Sequence, residues 1–154
     1  MNHLVLALTV VLGALSTLER VPAPLASRAP GWSRVASGTT NSLTGIWDTS
    51  PSDIFAVGPK GTILHFDGAT WSPRQVAGEP HLLSVWGASG HGVFIVGDEG
   101  VIVHYDGRAW APIESGTTEN LNALFGFSPN DVLVVGGGGR ILGRTPASAG
   151  CAMK

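Results

Sequence analysis

Hydrophobic residues along this chain come in short runs separated by Gly-, Pro- and Asp-containing punctuation, and the runs recur. "DIFAVG" at 53–58, "GVFIVG" at 92–97 and "DVLVVG" at 131–136 are continuous apolar segments ending in glycine. They are too short for helices, and unbroken apolarity predicts strands covered on both faces. Before each lies a segment of alternating large residues, first seen at 43–47. After each comes a Gly-containing turn ("PKG", "DEG", "GGG"), followed in the first two units by a third apolar segment, "TILHF" or "VIVHY". An Asp-Gly pair next predicts a tight turn, because glycine accepts the positive φ that hairpins demand. The segment that opens at Trp71 or Trp110 carries Pro73 or Pro112, and proline has no ladder donor to offer a central strand. Each unit is therefore predicted to hold four antiparallel strands with the fourth outermost.

The units keep a fixed period of 39 residues. Leu43, Leu82 and Leu121 are in register, as are Trp47, Trp86 and Phe125, then Val57, Val96 and Val135, and then Ile63, Ile102 and Ile141. Trp32, Trp71 and Trp110 keep the same step, and "SGTT" at 37–40 returns two periods later at 115–118. The near-identical "HFDGATW" (65–71) and "HYDGRAW" (104–110) therefore belong to a structural unit that repeats. Four short antiparallel strands repeated at this interval describe the blades of a β-propeller. The pattern L-x-x-[IV]-W … [IF]-x-V-G-x-x-G-x-I-x-H-[FY]-D-G-x-x-W resembles propeller repeats loosely related to the Asp-box (BNR) sialidase-like families and secreted, photosystem-assembly-factor-like propellers. The resemblance runs from Trp32 to about Arg144 and implies the fold. Asp67-Gly68 and Asp106-Gly107 lack the residue that an Asp-box places between its Asp and Gly. The WD40 reading fails, because Trp47-Asp48 becomes Trp86-Gly87 and Phe125-Gly126 in the next repeats.

The expected fold class is all-β, a propeller-type array of about three four-stranded blades, forming an incomplete or oligomer-completed ring. An isolated fourth strand at Trp32 precedes two full periods, 41–79 and 80–118, and a partial one whose third strand ends near Arg144. "TPASAGCAMK" then departs from the repeat where a fourth strand is due. The two half-finished ends predict either pairing with one another to complete three blades, or head-to-tail association of two chains into a six-bladed ring. A shortened member of a longer array is the other reading. Closed propellers have about four to eight blades, so three wedges leave open faces and edges.

The start changes the expected location. Residues 4–15 form an apolar run, too short for the roughly 20 residues of a membrane-spanning helix and followed by small residues that suit cleavage after Ser16. The chain divides into a signal peptide (1–16), a Pro/Ala-rich linker (17–31), the blade repeats (32–145) and a tail (146–154). Its expected location is secreted, periplasmic or at the cell surface. The single cysteine, Cys151, rules out an internal disulfide, and a net charge of −2 gives no footprint for nucleic acid.

Candidate chemistry is sparse. His65 and His104 hold equivalent positions with Gly143 in the third repeat, which favours a histidine bonded within its own blade over a metal ligand or acid–base group. Asp67 and Asp106, in turns of neighbouring blades, are expected to bond their own turns rather than act as a catalytic carboxylate pair. The tryptophans at 32, 71 and 110 are expected to pack between blades or hold the outer strand. Residues that break the repeat are the better ligand contacts: Asp98 and Glu99 in one turn and His91 in the "GASGHG" loop, all in the second blade. No catalytic, cofactor or metal residues are assigned, and no enzyme activity is expected. The expected function is a non-catalytic interaction module for a protein partner. The alternatives are a glycan-binding or degenerate glycosidase-like propeller, and an assembly factor for a membrane-associated complex.

Overall fold

The computed structural model describes residues 31–144. The expected signal peptide, almost all of the linker, and the tail lie outside the described residues. Eleven strands follow one another as β1 (Gly45–Ser50), β2 (Asp53–Val57), β3 (Ile63–Phe66), β4 (Trp71–Arg74), β5 (Leu82–Gly87), β6 (Val93–Gly97), β7 (Ile102–Tyr105), β8 (Trp110–Ile113), β9 (Leu121–Ser128), β10 (Asp131–Gly136) and β11 (Ile141–Arg144). They form three antiparallel meanders, β1-β2-β3-β4, β5-β6-β7-β8 and β9-β10-β11. The first strand β5 has β1 on one side and β9 on the other, so each sheet turns its inner edge to a common centre, as propeller blades do. β4 and β8 are outer edges, where Pro73 and Pro112 cost no ladder bond.

The continuous apolar runs are the middle strands. β2 is buried at every residue after Asp53, and β6 at every residue. Both faces of β6 meet a neighbouring sheet, whereas among the described residues β2 meets a sheet on one face, through Phe55 and Val57. β10 has the same apolar sequence but alternates buried and exposed, since only one of its faces is covered among the described residues. Phe55, Val57 and Ile63 of the first sheet meet Leu82, Val85, Val93 and Ile95 of the second in one core. Val96 meets Leu121 and Val134 in another, between the second and third sheets.

Trp47 lies over Gly87 and Trp86 over Gly126, so each blade's tryptophan rests on bare backbone of the next. The junctions are also bonded. Leu82 N donates to Gly58 O at 3.3 Å, Gly61 N to Pro80 O at 2.7 Å, and the Thr44 hydroxyl to Leu82 O at 2.7 Å. Each Asp-Gly turn forms as expected, with Gly68 at φ +95° and Gly107 at φ +93°. Asp67 Oδ1 accepts from the amides of Ala69 (2.9 Å) and Thr70 (2.8 Å), and Asp106 Oδ1 from those of Arg108 (2.8 Å) and Ala109 (2.9 Å). These bonds favour the ionised form and hold both carboxyls below the ordinary carboxylate value.

Two expectations are corrected. Residues 32–35 form no strand, and Trp32 is fully exposed rather than packed between blades. A fourth strand needs a third to pair with, and this segment instead leads to a hook in which Asn41 Nδ2 donates to Thr62 Oγ1 at 2.8 Å. Among the described residues the segment at 32–35 therefore does not pair with β11. The first strand begins at Gly45 rather than at Leu43, because among the described residues no preceding blade receives Leu43 as the first blade receives Leu82.

Candidate functional site

At one end of the array a cleft of about 360 Å³ opens between the first and second blades. Its floor is aromatic. Phe55 of β2 meets Tyr105 at 6.3 Å and the edge of Trp110 at 6.2 Å between ring centroids, and Tyr105 stacks on Trp110 at 4.8 Å. Trp110 therefore does what the sequence predicts, packing across a blade junction, while Trp71 packs within its own sheet against Phe66 at 5.2 Å.

The rim is polar, built from Asp53, His65, Asp67, Arg74 and His91. β2 and β3 pair with Phe55 opposite His65, which stacks the imidazole on the phenyl ring at 4.5 Å. Asp53 begins β2, and its Oδ1 lies 2.7 Å from His65 Nε2. An ionised carboxylate only accepts, so the ring N–H is the donor. The Thr49 hydroxyl donates to the other oxygen, Oδ2. Burial pushes the Asp53 carboxyl up, but the bonds from Thr49 and His65, with the nearby His65 and His91 rings, outweigh it and hold the group below its ordinary value. Asp53 is thus a fixed negative charge at the mouth of the cleft.

His91 reaches this site from the second blade. The β5–β6 loop carries Gly90 against the Asp53 carboxylate, and the His91 ring covers the Asp106-Gly107 turn of its own sheet. His91 is the one expected ligand contact found in the cleft. Asp98 and Glu99 lie in the β6–β7 turn at the opposite end of the sheet, in a shallow depression with Glu79, Pro80 and His81. There Asp98 Oδ2 is 3.6 Å from His81 Nδ1. Glu99 has φ +56° and donates its amide to Asn120 Oδ1 at 3.1 Å. Its repeat mates Lys60 (φ +57°) and Gly138 (φ +64°) share the left-handed conformation, so this position is set by the turn. The three residues, though in one blade, do not form one site.

The two equivalent histidines also part company. Asp53 is matched one period later by Gly92, so His104 has no carboxylate opposite it; it stacks on Phe94 at 4.4 Å. The Arg144 guanidinium sits 4.8 Å from the centroid of that ring. Burial first, then the Arg144 charge, push the His104 ring below its ordinary value against the pull of Asp106. The expected hydrogen bond within the blade holds for His65 and not, among the described residues, for His104. The repeat pattern treats His65 and His104 as equivalents and gives no place to Asp53. The signal it missed is that only the first repeat has both the Asp at the start of its second strand and the His on its third.

The arrangement presents an aromatic floor, one guanidinium, two carboxylates and two imidazoles to a ligand. Ser52 is beside the cleft, but its hydroxyl bonds Ser50 Oγ at 3.2 Å rather than a histidine. Among the described residues no group of three or more His, Cys, Asp or Glu side chains is placed to hold a metal ion.

Comparison with known proteins bears on the fold. No family model matches the chain, and no curated protein matches it. Among solved structures it is similar to YCF48 bound to D1 peptide, with a TM-score of 0.62 at 18% identity. The likeness is one of fold. It covers 72% of this chain and 40% of that one, so the chain spans less than half the length of that neighbour.

Proposed function

We propose that this chain is a non-catalytic, exported interaction module that takes an extended segment of a protein partner into the cleft between its first two blades. The observation that carries the reading is the cleft's composition: Phe55, Tyr105 and Trp110 below, with Arg74 and the Asp53–His65 pair above. Aromatic and arginine side chains in a recess ringed by polar groups are the usual anchors of protein recognition. The similarity in fold to a protein bound to a peptide supports the same choice of partner. The apolar run at 4–15 supports a secreted, periplasmic or cell-surface location. An assembly factor for a membrane-associated complex is the narrower form of this reading.

The test is selection of peptides from a random display library on the full chain, followed by fluorescence anisotropy of a selected peptide. Arg74→Glu and Trp110→Ala are each expected to weaken binding about tenfold or more, as anchor residues do, while Arg140→Ala, at the far end of the array, leaves it unchanged. Peptides indifferent to Arg74 and Trp110 contradict the reading. Binding on a glycan array that is lost with Trp110→Ala replaces it with the carbohydrate alternative, and turnover in a hydrolase screen ends the non-catalytic assignment.

A further inference from the structure

The two ends of the array carry complementary halves of an interface that the chain already builds twice. At each built junction the first strand of the following sheet gives two apolar residues to the preceding sheet. Leu82 and Val85 join Phe55, Val57 and Ile63, and Leu121 and Leu124 join Val96 and Ile102. On the first sheet the same two positions are Leu43 and Ile46, and they are 44% and 69% exposed.

The third sheet shows the matching loss. Phe125, Leu133, Val135 and Ile141 stand where Trp47, Phe55, Val57 and Ile63 stand in the first, and all four are exposed, Ile141 at 70%. The second strand of the following sheet also contributes, as Val93 and Ile95 or as Val134. The mates of Val93 and Ile95 on the first sheet, Ile54 and Ala56, are buried. One end therefore presents Leu43 and Ile46 of the inserting set, and the other the face that receives them. Two different patches that fit each other make a heterologous contact, which joins copies head to tail.

The strand edges tell the same story. β3 and β7 are each covered by a fourth strand that opens with tryptophan, Trp71 and Trp110, whereas among the described residues no strand pairs with the outer edge of β11. Between the second and third sheets an apolar groove of about 530 Å³ is lined by Phe94, Val96, Ile102, Leu124 and Leu142. At the equivalent place between the first and second sheets Trp110 packs against the core. The period calls for a tryptophan at 149, where the chain has Ala149, while Trp32 stands one period before Trp71, outside any strand and fully exposed.

Packing at the inner strands is matched as well. Each built junction sets a tryptophan on a glycine, Trp47 on Gly87 and Trp86 on Gly126. The open face offers the shorter Phe125, and the first sheet has Asp48 at the glycine position, so the smaller ring leaves room for the added side chain.

We propose that a second copy of this chain docks head to tail on the third blade. Its Leu43 and Ile46 enter the open face, and its residues 32–35 lie along β11 as the missing fourth strand with Trp32 over the groove. Two such contacts close a ring of six blades, within the range that closed propellers occupy. The proposal goes beyond the peptide cleft, which lies at a junction internal to each chain, and neither depends on the other.

Light scattering coupled to size exclusion of the full chain reads the outcome. The expected mass is twice that of the chain, and the mass of one chain at every concentration overturns the proposal, whether a segment of the same chain or nothing covers the face. Leu43→Glu and Phe125→Glu damage opposite ends. Each alone is expected to leave a monomer, with the dimer weakened roughly a hundredfold or more by burying an unpaired charge. An equimolar mixture regains a dimer containing one of each, because one sound end of each variant still fits the other. A symmetric contact through a single patch gives no such rescue, so a mixture that stays monomeric overturns the head-to-tail geometry. Circular dichroism checks each fold, and Ile46→Lys with Leu133→Lys replaces any variant that fails it.

Discussion

Leu82→Ala is expected to lower the free energy of unfolding by about 3 kcal/mol, within the range for deleting most of a buried leucine from a packed core. Leu82 is fully buried where β5 of the second blade meets the first, so truncation removes contacts from both blades at once. The same change at Leu43, identical in sequence register, is expected to cost less than about 1 kcal/mol in the monomer, because that side chain is already half in water. Urea unfolding at concentrations where the chain is monomeric reads both, as a shift in midpoint at unchanged slope. Equal losses at the two positions contradict the reading that burial follows from the neighbouring blade rather than from the repeat alone.

Gly126→Ala is expected to destabilise the chain by about 1–3 kcal/mol, the cost of forcing an extra carbon into a filled space. A Cβ at Gly126 would lie 2.5 Å from Trp86 Cζ3 and 2.8 Å from Cζ2, well inside contact distance. The ring cannot withdraw cheaply, because it is the second blade's contact with the third at the inner strands. Trp86→Phe shortens that reach, so Gly126→Ala placed on Trp86→Phe is expected to cost much less than on the parent. A thermal-denaturation double-mutant cycle measures the coupling. Additive losses contradict the tryptophan-on-glycine junction.

The period made the architecture legible in the sequence, because side chains that repeat in register must repeat in environment. The apolar strands β2 and β6, the Asp-Gly turns and the proline-bearing edges β4 and β8 all lie where the pattern puts them. What the pattern did not carry is the effect of having no neighbour. Leu43 and Trp32 share register with buried or half-buried residues, yet they are exposed and outside strands, since burial and pairing are properties of two blades and a repeat describes one.

The candidate site was legible only in part. His91 stands out because it breaks the repeat, but Asp98 and Glu99 break it too and lie at the other end of the sheet. The hairpin path, rather than closeness in sequence, decides which loops meet. The Asp53–His65 pair was hidden because its members are twelve residues apart and one of them looks like an ordinary repeat histidine.

Residue-resolved amide hydrogen exchange tests the central claim most directly, that the recurring unit is a four-stranded sheet packed face to face with the next. The account predicts three zones of slow exchange at β2, β6 and β10, one period apart, with faster exchange at the outer strands β4 and β8. Protection that does not recur at that interval, or that falls in a pattern of helical segments, would contradict it.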